Sequence, residues 1–360
     1  MPKICSVGLG IPNYKITQEK AMEFANHLFS NTFKDIKRLL KVFENGEIKS
    51  RYIAKNLNWY GQDHSFAEKN NAFIDESIEL GVKAITNCLL GDSSSIQMDY
   101  SEVDAFITIC TTGLSTPSID AKIMNRLPFR TDVKRIPIWG LGCAGGASGL
   151  SRAYEYCLAY PKAKVIILAI ELCSLTFQKD DHSKSNLIGT SLFADGAACV
   201  LVVGDEYKQI NEQKSPLPSI YATSSCLMKD SLDVMGWEVK SDGLHVIFSK
   251  DIPTIVEKWL KPNIENFLQK YQLKISDISQ LIAHPGGKKV LTAYENALNL
   301  SPLITEDARK ILSQFGNMSS PTIFFVLKRM LEKDIQEGEW GLALALGPGF
   351  SSEQLLMRWE

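Results

Sequence analysis

The chain has 360 residues, 45% of them apolar and 22% charged, enough to bury one large core or two ordinary ones. A formal net charge of −2 gives no bulk attraction to nucleic acid or to an anionic membrane surface. The eight cysteines include no C-x-x-C pair, which argues against a structural zinc site and against a disulfide framework. The N-terminal stretch lacks the apolar core of a signal peptide. Apolar runs such as Val165 to Ile170 are too short to span a bilayer. A reduced, cytoplasmic protein without an integral membrane segment or a metal is the expectation.

Taken in chain order, the first feature is a basic stretch: Lys34, Lys37, Arg38, Lys41, Lys49, Arg51 and Lys55 against Asp35, Glu44 and Glu47. It reads either as a solvated amphipathic helix face or as a landing site for an anionic small molecule. "DAFITICTT" and "RIPIWGLG" then read as strands, "GASGLSRAYEYCLAYP" as a helix, and "AKVIILAIEL" and "AACVLVVG" as strands. The polar stretch Gly204 to Ser219 breaks this rhythm and divides the chain into halves, 1–206 and 207–360. "QLIAHPGG" is a further strand, "PTIFFVLKRMLEK" a helix and "EWGLALALGPG" a closing strand. Strands alternating with helices predict an α/β protein with largely parallel sheets. Each half holds a strand, a small-residue loop with a reactive side chain, and a helix, which hints at duplication.

The loop "WGLGCAGGASGL" permits two readings. Gly140, Gly142 and Gly145 fit G-x-G-x-x-G, a dinucleotide cradle, with Glu171 as the following acid. The same loop places Cys143 where a helix begins, and unpaired N–H groups with the positive end of the helix dipole favour a thiolate there. Bulky side chains are absent on both sides of it. Cys5, Cys88, Cys157 and Cys199 read instead as small buried hydrophobes.

A nucleophilic cysteine needs a base and a polar partner. His284 ends an apolar strand and is followed by Pro285, Gly286 and Gly287, whereas the other four histidines sit in polar or mixed surroundings. Asn317 lies in a loop before a helix that Ser319 or Ser320 is expected to cap. Taken singly, His284 reads as structural and Asn317 as a turn residue. Turns of this kind share one edge of a parallel sheet and so converge in space.

The set "GLGCAGGASGL", "SLFADGAACVLVVG", "LIAHPGG", "FGNMSS" and "LGPGF", in this order and spacing, resembles type III polyketide synthases, the chalcone and stilbene synthase superfamily. The likeness runs from roughly Ile48 to the C-terminus and makes the dinucleotide match a coincidence. It implies a thiolase-like fold, two similar α/β halves in five layers (αβαβα), in a homodimer. It also implies iterative decarboxylative condensation of malonyl-CoA onto an acyl-CoA starter, with coenzyme A thioesters as substrates and no metal or redox cofactor. Cys143 would carry the chain. His284 would act as an imidazolium partner of the thiolate and, with Asn317, would hydrogen-bond the malonyl thioester oxygen, stabilising the enolate left by CO2.

Further positions follow from the same resemblance. Phe193 matches a gatekeeper between the CoA tunnel and the cavity. Lys49 and Arg51 match residues that contact CoA phosphates, and Gly286 and Gly287 would let the CoA arm pass. Cys173, Thr176, Gly347, Pro348 and Gly349 would line or shape the cavity. The plant enzymes' second gatekeeper phenylalanine aligns with Val246, their cavity threonine with Cys173, and their interface methionine falls near Thr116 in a shortened loop. These departures open volume and favour a fatty acyl starter over an aromatic one, with alkylpyrones as products and alkylresorcinols as the alternative. A single-condensation enzyme of the initiating ketoacyl-carrier-protein synthase type is the nearest rival. A hydroxymethylglutaryl-CoA synthase-like enzyme, a papain-like hydrolase and a non-catalytic acyl binder are more distant ones.

Overall fold

Long β-branched runs with no polar alternation predict strands buried on both faces, and "KVIILAIEL" behaves this way: all but the first of its nine residues are buried. The computed structural model describes residues 1–30, 36–91, 96–208, 216–248 and 252–360. Its strands are β1 (Lys3–Gly10), β2 (Tyr14–Thr17), β3 (Ser50–Ile53), β4 (Ala105–Ile109), β5 (Lys134–Ile138), β6 (Lys164–Leu172), β7 (Asp195–Val203), β8 (Pro218–Leu227), β9 (Met235–Lys240), β10 (Gly243–Phe248), β11 (Ile278–Ala283), β12 (Trp340–Gly347) and β13 (Ser351–Trp359).

Nine strands form one sheet in the order β11-β12-β13-β8-β1-β7-β6-β4-β5, while β9–β10 and β2–β3 are separate hairpin-like pairs. The contact between β8 and β1 is a single registered pair, Ser219 with Lys3, so the sheet divides there into two halves. The orders β1-β7-β6-β4 and β8-β13-β12-β11 are the same when each half is counted in its own chain order. The duplication hinted at in the sequence is therefore visible in the strand order.

Two helices, Gly145–Ala159 and Thr322–Leu331, pack on each other and on strands of both half-sheets, forming the central layer. The helix Phe66–Leu90, opened by a Ser65–Glu68 capping box, covers β1, β6 and β7 on the outside. Helical segments between Ile252 and Leu298 cover the second half, completing the thiolase-like αβαβα arrangement.

Two sequence expectations are corrected. The sheet is not largely parallel: only β4–β5, β4–β6 and β11–β12 are parallel, because β7 and β13 return beside their predecessors as antiparallel partners. "EWGLALALGPG" is also not the last strand. β13 follows it and is almost wholly buried, although it begins with the polar run Ser351 to Gln354.

Candidate active site

Two glycines at the entry to the first central helix are demanded by packing, whereas Gly140 is called for by its φ of +93° with open space around it. A Cβ on Gly142 would meet Pro348 at 2.8 Å, and one on Gly146 would meet the carbonyl of Ser320 at 2.4 Å. The loop is thus pressed between the turn Gly347–Gly349 and the lead-in to the second central helix. That leaves no cradle for a pyrophosphate, and the dinucleotide reading falls away. Cys143 sits in this turn, 8% exposed, with its Sγ donating to Ser319 Oγ at 3.4 Å.

From Ser319 a chain of contacts runs onward. The Ser319 N–H donates to Asn317 Oδ1 at 2.7 Å, which fixes the amide's orientation, and Asn317 Nδ2 donates to the carbonyl of Gly286 at 3.1 Å. The Asn317 amide also reaches the Cys143 sulfur, where its hydrogen bond works against the rise in the thiol's pKa. Gly286 follows His284 at the end of β11, where the His284 N–H bonds the Leu344 carbonyl at 2.8 Å. His284 is buried, and neither ring nitrogen has a hydrogen-bond partner among the described residues. Burial alone pushes its basicity down to about 3. Burial likewise raises the Cys143 thiol to about 11, partly offset by Ser319, with the Glu171 charge adding to the rise.

Burial disfavours the charged form of both groups, so it works against the thiolate–imidazolium pair that the resemblance implies. A helix N-terminus contributes up to about 2 kcal/mol at a partly buried site, less than the several kcal/mol that stripping water from an ion costs. The expected helix caps are corrected too. Ser319 serves Cys143, and Ser320 Oγ donates to Glu171 at 2.8 Å.

Glu171 is the residue that sequence reasoning misassigned. Its carboxylate accepts from the N–H groups of Thr111 and Thr112, from Thr112 Oγ and from Ser320 Oγ, at 2.8–3.0 Å, while the Gly142 N–H donates to Thr111 Oγ. One buried acid thus ties both central turns together. Burial raises its pKa to about 7. The signal was a lone acid closing an otherwise apolar strand.

Phe193 follows the helix Lys184–Leu192 and bridges to Asn317 in parallel register, with the Asn317 N–H on Leu192 O and the Ala194 N–H on Asn317 O. Its ring stacks near Trp237 and Phe248, at 5.7 and 5.5 Å between centroids. Phe193, Cys173, Thr176 and Val246 all line one apolar cavity of about 620 Å³, counted with the space at its open mouth, which extends past Phe177 to Ile16 and Phe24. Trp237, which the sequence reading did not single out, lines it as well. Gly347 and Pro348 lie against the cysteine loop, Gly349 lies against Leu227, and all three are outside this lining.

The basic stretch separates. Lys34 and Asp35 lie outside the described residues. Lys49 is exposed. Arg51 contradicts its expected role as a phosphate contact: it is 2% exposed and points inward, because in β3 Arg51 and Ile53 share the buried face.

A protein-family model for chalcone and stilbene synthases, N-terminal domain, matches residues 2–206, and the corresponding C-terminal domain model matches residues 220–359. A putative chalcone synthase of Bacillus subtilis (strain 168) is 52% identical, across 100% of this chain and 99% of its own length. The 1,3,6,8-tetrahydroxynaphthalene synthase of Streptomyces peucetius subsp. caesius is 32% identical over 99% of this chain and 93% of its own. The crystal structure of the tetrahydroxynaphthalene synthase from Streptomyces coelicolor A3(2), a bacterial type III polyketide synthase, aligns with a TM-score of 0.91 at 27% identity over 99% of both chains.

Proposed function

The chain belongs to the chalcone and stilbene synthase family of type III polyketide synthases, and from that membership we propose that it extends fatty acyl-CoA starters with malonyl-CoA and closes the products to alkylpyrones. Decarboxylative acyl transfer is the chemistry of the family; the starter, the product and the residue roles are our reading. Two observations support it: the contact chain from Cys143 through Ser319 and Asn317 to Gly286, and the apolar cavity beyond Phe193.

In the first step Cys143 Sγ attacks the acyl-CoA carbonyl. The C–S bond to CoA breaks, and the thiol proton passes through neutral His284 to the departing CoA thiolate. A neutral base suits this role, because the proton moves only when the acyl group arrives to accept the sulfur. Malonyl-CoA then loses CO2. The charge gathers on the thioester oxygen, facing a donor on His284 and an N–H of Asn317, in a site from which water is largely excluded. The enolate carbon attacks the acyl group on Cys143, a C–C bond forms as C–Sγ breaks, and the cysteine is freed for reloading. After two extensions the enol oxygen attacks the thioester and CoA leaves with ring closure, a step that requires no dedicated base.

A Cβ on Gly286 would stand in van der Waals contact with Val290 at 3.6 Å, so the glycine opens the width of a methyl group there for the arm of CoA. We assign the homodimer contact to the exposed sheet edge at β5, where Trp139 and Leu114 stand 53% and 42% exposed, near Thr116. Among the described residues no helix is long and apolar enough to cross a membrane.

The test is a mass-spectrometric product survey with malonyl-CoA and acyl-CoAs from acetyl to stearoyl, plus coumaroyl, beside a Cys143→Ala control. Alkylpyrone masses that rise with long starters and vanish in the control are expected. Activity only with a carrier-protein malonyl donor would replace this reading with the single-condensation one.

A further inference from the structure

Among the described residues, Arg51 is the largest buried charged side chain that the reaction above does not use. Its Nη1 donates to the carbonyls of Thr190 and Phe193, both at 2.8 Å. Its Nη2 donates to the Ser191 carbonyl at 2.5 Å and to Gln18 Oε1. None of these four acceptors is a carboxylate. Asp195 lies near enough to favour the charge, but its oxygens are committed to the Ala54 N–H and to Ser174. Taking a guanidinium out of water without a direct counter-ion costs several kcal/mol, so the placement calls for an explanation beyond filling space.

The acceptors share one location. Thr190 and Ser191 belong to the last turn of the helix Lys184–Leu192, where carbonyls lack intrahelical partners and the helix dipole is negative. Phe193 is the residue that follows. Arg51 therefore sits on the helix end that delivers Phe193 to the cavity, and it lines that cavity itself. On its other side it packs on the Asn317 turn: a Cβ on Gly316 would lie 3.4 Å from the Arg51 Cβ. The Phe193–Asn317 bridge joins these two contacts. Gln18 extends the clamp, with Nε2 donating to the carbonyls of Ser191 and Phe43 at 3.1 Å.

We propose that Arg51 is a positioning residue for the condensation: its rigid fork holds the carbonyls around Phe193, fixes the Phe193 ring and the Asn317 amide as one unit beside Cys143, and so keeps decarboxylation coupled to carbon–carbon bond formation. The proposal rests on the roles assigned above to Phe193 and Asn317. Once malonyl-CoA has lost CO2, the enolate has two fates. Its carbon attacks the acyl group on Cys143 and expels the thiolate, or it takes a proton from water and leaves as acetyl-CoA. A displaced ring admits water, and a displaced amide turns the enolate away from the acyl carbon. Either change favours the second fate.

The test uses the full chain with palmitoyl-CoA and malonyl-CoA, and measures CO2, acetyl-CoA, extended products and the acyl occupancy of Cys143 by intact mass. In Arg51→Met the ratio of acetyl-CoA to extended product should rise on the order of tenfold, since a misplacement near 1 Å is enough to redirect the reacting carbon. Arg51→Lys keeps the charge but not the planar fork and should give an intermediate rise, and Gln18→Ala a smaller one. If Arg51→Met does not fold, the other two variants carry the same readout. An unchanged ratio in folded variants, with product falling only in step with acylated Cys143, would reduce Arg51 to a structural brace and overturn the proposal. A wild-type protein that released no CO2 from malonyl-CoA would sink the underlying reading instead, so the two failures are distinguishable.

Discussion

The turn entering the helix Gly145–Ala159 and the turn entering the helix Thr322–Leu331 occupy matching places in the two halves, each leading to the strand that follows its central helix, β6 or β12. They are held in opposite ways. The Cys143 turn takes its shape from missing side chains: Gly142, Gly145 and Gly146 allow backbone and neighbours to close in, with would-be Cβ contacts of 2.8 Å or less. The Asn317 turn takes its shape from hydrogen bonds, through Asn317, Ser319, Ser320 and Thr322. Duplication supplied two matching turns; on the proposed reading, different side chains make one a nucleophile and the other a donor. Bulk should therefore damage the first, and loss of a polar atom the second.

The largest effect expected from that contrast is on catalysis. Asn317→Asp still accepts from the Ser319 N–H, but it has no donor for the enolate and sets a carboxylate against the Gly286 carbonyl. Malonyl decarboxylation should fall about 10²–10³-fold with the melting temperature little changed. A drop below tenfold would mean that His284 alone supplies the stabilisation.

Next comes bulk in the first turn. Gly146→Val drives a side chain into Ser320 and Ile323 and should cost about 1–3 kcal/mol of stability or more, read by denaturant unfolding. Ser320→Ala in the second turn adds no bulk, removes a bond to Glu171 and should alter activity before stability. If both variants lost the same property, the two turns would not differ as described.

A smaller effect is linked to pH. Glu171 is raised from 4.5 to about 7, so the folded state favours the protonated acid. Relative to a neutral residue, wild-type stability then declines as pH rises from about 4.5 to about 7 and is flat above. Glu171→Gln keeps acceptors for Thr111 and Thr112 and can donate to Ser320. Its melting temperature relative to wild type should climb across that window; a constant difference would show that the carboxyl titrates normally.

The smallest effect concerns the cavity. Val246→Phe places a ring beside Gly189 and Phe193 and should shorten the preferred starter chain without abolishing turnover. Unchanged chain-length preference in competition assays would remove Val246 from the acyl path.

Much of the site was legible in sequence because special backbone leaves special spelling. Small residues flank Cys143, two glycines follow His284 and Pro285, and a polar cluster precedes an apolar helix at Asn317. What escaped was set by burial and by partners distant in the chain. Arg51 looked like a ligand by its charge, although the two-residue period of β3 places it with Ile53 on the inner face. The thiol's acidity was judged from the helix dipole alone, whereas burial pushes its pKa the other way. The antiparallel pairings and β13 were hidden because a strand opening with Ser351, Ser352, Glu353 and Gln354 does not look buried, yet every one of these residues is.

The central claim is that Cys143, in the turn shaped by glycines, carries the acyl chain while the facing turn handles the malonyl unit. Intact-protein and peptide mass spectrometry after incubation with palmitoyl-CoA tests this directly. One palmitoyl adduct on the Cys143 peptide, discharged as pyrone when malonyl-CoA is added and retained in Asn317→Asp, is the predicted result. An adduct elsewhere, or pyrone made by Cys143→Ala, would contradict it.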